Sequence, residues 1–155
     1  MKISFAGSLF FLISLFAADL SAHGTGTRKF TGLGLTAGFE YGSLGNPAPA
    51  IALTQGYTGI VSYYGSVEAG YRTKDAAFMA RATLEAYVIY FGIYAGMQSN
   101  TGNERASVYG FPVGIAFLFP VNDPWLVKLH AGAAFYTKEQ ANEFQIALSV
   151  FYRIW

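Results

Sequence analysis

The stretch Phe30–Gly42, FTGLGLTAGFEYG, decides how the rest of the chain is read. Leu33, Leu35, Ala37, Phe39 and Tyr41 fall on one parity; Gly32, Gly34, Thr36, Gly38 and Glu40 fall on the other. Successive side chains of a β-strand point to opposite faces. A strand here has one wholly apolar face and one face of small or polar residues.

The same separation recurs along the chain. Val61, Tyr63, Val67, Ala69 and Tyr71 alternate with Ser62, Tyr64, Ser66, Glu68 and Gly70. Phe78 to Ala86 alternates with Met79, Arg81, Thr83 and Glu85. Tyr109 to Phe119 forms an apolar row, Val127 to Phe135 alternates with Lys128, His130 and Gly132, and Phe144 to Ile154 alternates with Gln145, Ser149 and Arg153.

Composition narrows the classes. A length of 155 residues suits one domain. Aromatic residues make up 17% and charged residues only 12%, with 18 glycines; the charged share is about half that of ordinary globular chains. A net charge of +1 gives no electrostatic footprint for nucleic acid. Cysteine is absent, which removes disulfides, thiolate metal sites and cysteine nucleophiles.

Residues 1–22 have the layout of a secretory signal peptide: Lys2, an apolar run from Phe5 to Ala18, and a small residue closing Leu20-Ser21-Ala22. The run is short for a spanning helix; an uncleaved anchor helix is the competing reading. The mature domain is then 23–155, beginning at His23.

A soluble sandwich or lipocalin-like barrel also alternates, with its apolar face inward. A transmembrane barrel turns the apolar face to lipid and the polar face to the lumen. Three features favour the second. The polar face is rich in Gly, Ala and Ser, as a narrow lumen requires, whereas a water-facing surface carries more charge. Its charges balance, Glu40, Glu68 and Glu85 against Arg81, Lys128 and Arg153, so they can pair as buried charges must. Aromatics fall near expected strand ends, at Tyr41, Tyr57, Tyr71, Tyr109, Trp125, Tyr136, Tyr152 and Trp155, as interfacial girdles would.

Connections read as long, short, long, short, long: Ser43–Ala50, Thr73–Asp75, Ser99–Ser107, Val121–Pro124 and Thr137–Glu143. With the N-terminus inside, every long loop lands outside. That gives six strands, and barrels of this type start at eight. Ile51–Arg72 and Ala76–Gln98 are each long enough to hide another. In the second, the apolar parity flips from Phe78–Ala86 to Ile89–Met97, which demands a bulge or a turn. The absence of Gly, Pro, Asn and Asp between Glu85 and Phe91 points to a bulge; the strand number points to a turn. Eight strands are favoured. A local helix from an Asp75 cap, with Arg81 and Glu85 as an i,i+4 pair, is the alternative for that segment. Pro112 removes a ladder donor, so a bulge or distortion is expected near it.

The C-terminal run Val150-Phe151-Tyr152-Arg153-Ile154-Trp155 resembles the terminal strand of bacterial outer-membrane barrels. The resemblance implies that Phe151, Tyr152, Ile154 and Trp155 belong to a strand recognised by the barrel-assembly machinery. In size and pattern the mature chain is similar to small outer-membrane proteins of the OmpX, OmpA-barrel and OmpW kind.

Site chemistry is sparse. His130 has no H-x-x-H partner, and metal sites need several converging ligands. Lipid A deacylases pair a strand His with a Ser two residues on; here Ala131 and Gly132 follow His130. Gly32, Gly34 and Gly38 do not match a dinucleotide fingerprint. No cofactor, metal or catalytic set is expected. Glu40, Glu68, Arg81, Glu85, Lys128, His130 and Arg153 read instead as a structural charge network inside the lumen. The sequence thus points to an all-β, antiparallel up-and-down transmembrane barrel in contact with outer-membrane lipid. Its expected role is structural, surface-interacting or weakly permeating and porin-like. The alternatives are a lipid-modifying barrel enzyme and a soluble periplasmic barrel binding an apolar ligand.

Overall fold

The computed structural model describes residues 28–41, 46–74, 76–102, 108–122, 124–137 and 142–154. The signal segment 1–22, His23, Asp75, Trp155 and the side chains of Glu40 and Tyr41 lie outside the described residues.

Eight antiparallel strands close on themselves: β1 Arg28–Tyr41, β2 Asn46–Thr58, β3 Val61–Arg72, β4 Ala77–Val88, β5 Phe91–Gly102, β6 Val108–Asn122, β7 Trp125–Tyr136 and β8 Glu143–Arg153. Each pairs with its sequence neighbours, and β1 meets β8 from Gly32↔Arg153 to Tyr41↔Phe144. Closure leaves no unpaired sheet edge.

Both long segments contain a hairpin. Ile51–Arg72 turns at Gly59–Ile60, and Ala76–Gln98 turns at Ile89–Tyr90. The register explains why only one of them showed in the parity. Tyr57 faces Tyr63, both odd, so the outward row passes through the first hairpin unchanged. Val88 faces Phe91, so the second hairpin hands the outward row from even to odd numbers. The flip is therefore a turn and not a bulge. It is made without glycine because Ile89 accepts φ 59°, a left-handed conformation unusual for a β-branched residue.

The helical alternative is corrected: residues 77–88 are strand β4, and Arg81 and Glu85 find partners on other strands. Loops are shorter than the sequence suggested, since Asn46–Ala50 and Ser99–Gly102 lie in strands. The connections 59–60, 89–90 and 123–124 gather at one end, with the start of β1 and the end of β8. The opposite strand ends, including Tyr41, Asn46, Arg72, Ala77, Gly102, Val108, Tyr136 and Glu143, gather at the other. The Thr73–Asp75 turn, read as opposite the long loops, is thus at the loop end; the two extra hairpins shift the count. At Pro112 the pairing lapses between Ala95↔Val113 and Gln98↔Gly110 without a change of register. The register shift falls between Pro120 and Asn122.

Candidate functional site: a filled lumen inside an apolar belt

The outer wall carries the apolar rows. Leu35, Ile51, Leu84, Ile93, Val113 and Leu148 are among its exposed side chains. The row from Tyr109 to Phe119 on β6 has the roughly 9–11 residues that cross a hydrocarbon core. Aromatic side chains mark both ends. Tyr63, Tyr90, Trp125 and Tyr152 are exposed toward the turn end, Trp125 meeting Tyr152 edge-on at 5.1 Å. Tyr71 and Tyr109 are exposed toward the loop end. Tyr136, read as a girdle residue, instead hydrogen-bonds inside the lumen.

The inner wall is filled. At its centre Lys128 Nζ reaches across from β7 to Glu85 Oε2 on β4, at 2.7 Å. Both side chains are fully buried. Glu85 also accepts from Ser66 Oγ (3.0 Å), Thr83 Oγ1 (3.1 Å) and the Tyr87 hydroxyl (2.8 Å). Lys128 donates further to Thr54 Oγ1 at 2.8 Å and Ser66 Oγ at 3.2 Å. Isolated buried charges are prohibitively costly, but a pair surrounded by donors and acceptors is not. His130 Nε2 stands 3.6 Å from Glu85 Oε1, and its ring lies against Tyr94 at 4.8 Å.

Nearer the loop end, Arg81 pairs with Glu68, its direct neighbour across β3–β4. It also donates to Gln145 Oε1 across the lumen at 3.4 Å. Gln145 donates to Gln98, and Gln98 to Asn100 and Tyr136, each at 3.1 Å. At the loop end Arg72 holds Glu143 through two bonds of 3.0 and 2.9 Å. Sequence reading missed this pair. Arg72 adjoins a turn and Glu143 was assigned to a loop, yet both lie on lumenal parity. Arg153 is at the turn end, its guanidinium 5.2 Å from the Phe30 ring.

Toward the turn end, rings close the lumen. Phe30, Tyr64, Tyr87, Leu118, Leu126 and Phe151 belong to one buried cluster. Lys128 caps it, 4.3 Å from the Tyr64 ring centre and 5.1 Å from that of Phe151. Glycines make the room. Gly34 faces Phe151, Gly56 faces Tyr64, Gly92 faces Tyr87 and Gly110 faces Tyr136 across the sheet. A Cβ at any of them would come within 2.6–2.7 Å of the ring opposite. This cross-strand glycine–aromatic pairing lays each ring flat over a bare backbone. It accounts for these four glycines and the four inward rings they face by one cause.

Of the C-terminal residues, Phe151 points into the plug, while Tyr152 and Ile154 are exposed on the outer wall. Among the described residues, no group of three or more His, Asp or Glu side chains is placed to hold a metal.

The fold and its polarity define a closed eight-stranded barrel with an apolar exterior and an ion-paired interior. No protein-family model matches the chain, and no curated protein sequence matches it. Among solved structures it is similar to Neisserial surface protein A, at 10% identity over 83% of this chain and 99% of that one, with a TM-score of 0.48. It is also similar to the Yersinia pestis outer membrane protein Ail, at 11% identity over 80% of this chain and 99% of that one, with a TM-score of 0.41.

Proposed function

We propose that this chain is an integral outer-membrane barrel with a closed lumen, acting as a structural or surface-interaction protein through its loop end. One observation carries the reading: polarity is inverted relative to a soluble barrel, with apolar rows exposed and Glu68, Arg81, Glu85 and Lys128 buried. Water would not tolerate that exterior, and hydrocarbon requires it. A soluble ligand-binding barrel would show the opposite arrangement. In this reading the C-terminal run that holds Phe151, Tyr152, Ile154 and Trp155 is the segment presented to the assembly machinery.

The reading gives the lumen no steady permeation role, because the ring cluster and the ion network occupy it in series. It also gives the chain no catalytic role. His130 is buried in the lumen against the Tyr94 ring, and mass spectrometry of lipid A from expressing cells should show no change. The principal test is planar-bilayer conductance of refolded protein. Little or no steady current is expected; large, stable channels would sink the closed-lumen reading. Recovery of the folded protein in the soluble fraction without detergent would sink the membrane placement.

A further inference from the structure

The outer wall is not uniformly convex. On β3, β4 and β5 the outward positions Ala69, Ala80, Ala82 and Ser99 are small. They form the floor of a groove of about 410 Å³, walled by larger side chains including Ile51, Phe78, Met97 and Tyr109. Such a volume lies toward the small end of ligand pockets, which run from roughly 300 to 1,000 Å³.

A second observation is independent of the groove's shape. Ser99 is only 8% exposed, sits on outward parity and lines this groove. Its hydroxyl has no hydrogen-bond partner among the described residues. The hydroxyl is not among the side-chain atoms sealed inside the protein, so it opens on the groove, and in hydrocarbon an unpaired hydroxyl is unfavourable unless something supplies a partner. Its depth indicates what: Ser99 pairs with Tyr109 across β5–β6, at the aromatic level near the loop end. Aromatic girdles mark the zone where lipid headgroups meet acyl chains.

We propose that this groove is a binding site for one acyl chain of a membrane lipid in the leaflet nearest the loop end. The chain lies over Ala69, Ala80 and Ala82, and its ester carbonyl accepts a hydrogen bond from Ser99. The inference rests on the membrane placement proposed above. Hydrocarbon is what faces this wall, and only a chain with a polar group at its upper end meets both the alanine floor and the hydroxyl.

The test uses the refolded full chain in nanodiscs of phosphatidylcholine and phosphatidylglycerol, with a photoreactive diazirine on the phosphatidylcholine acyl chain. Cross-linked peptides are mapped by mass spectrometry. Adducts should concentrate on β3–β5 several-fold over the opposite wall at Phe144–Val150. Ala80→Phe should remove that excess, and Ser99→Ala should reduce it, while heat-modifiable migration is unchanged. Ala131→Phe on the far wall should leave the excess intact. Even labelling around the belt would overturn the site and leave the membrane placement standing. Cross-links joining two copies through β3–β5 would overturn it in favour of self-association. An absence of acyl adducts anywhere on the belt would overturn both readings.

Discussion

Toward the turn end the lumen is closed by rings and aliphatic side chains, with Phe30, Tyr64, Tyr87, Leu118, Leu126 and Phe151 packed against glycine backbone. Toward the loop end it is closed mainly by polar links, with Arg72, Glu143, Gln98, Asn100 and Tyr136 joined in one net beside the small apolar cluster of Ala48, Ala50 and Met79. The difference matters because packing and hydrogen bonding fail differently. A packed plug admits no water, so any group it covers must be satisfied by protein. A polar net beside the loops can exchange a lost partner for water. Between the two sits the Glu85–Lys128 pair, which is polar like the upper net but sealed like the plug.

The largest effect should come from breaking that middle pair. Glu85→Ala leaves a fully buried ammonium without its counter-charge. It should cost about 3–5 kcal/mol, read as a lower urea midpoint in detergent by heat-modifiable migration. The double variant Glu85→Gln/Lys128→Met should recover much of the loss, since removing both charges is often neutral. Equal stability of single and double variants would refute the sealed-pair account.

Next is the plug. Gly92→Ala drives a methyl group into the Tyr87 ring and the backbone of β4. Overpacking of this kind should cost about 1–3 kcal/mol in the same assay. At the loop end, Glu143→Gln keeps the shape but removes the charge facing Arg72. Because the amide still offers an acceptor to the guanidinium, a loss of roughly 1–2 kcal/mol is expected, below that of Glu85→Ala. Matching losses at the two sites would show that both ends are equally dry.

The smallest effect concerns the glycine-free hairpin. Ile89 holds φ 59°, and Asn tolerates that conformation better. Ile89→Asn should stabilise the barrel by about 1 kcal/mol, a rise in the urea midpoint with the fold unchanged.

Much of the fold was legible from the chain because the period-two signal is local. Each strand shows its two faces within a few residues, as Phe30–Gly42 does. The hairpin at Gly59–Ile60 was hidden because its register preserves parity, and the one at Ile89–Tyr90 was obscured because its turn lacks the usual residues. Neither fact is contained in a local pattern.

By itself, then, the sequence determined the alternation, the apolar exterior, the small-residue interior and the near balance of interior charge, since side-chain direction in a strand depends only on position along it. Tertiary structure decided which charges meet. Arg81 took Glu68 beside it and Lys128 took Glu85 across the lumen, while Arg72 recruited Glu143 from β8. It also turned Tyr136 inward and gathered Ala69, Ala80, Ala82 and Ser99 into one groove. Those outcomes depend on register and on closure of the sheet, which bring together residues far apart in the chain at distances that no stretch of sequence encodes.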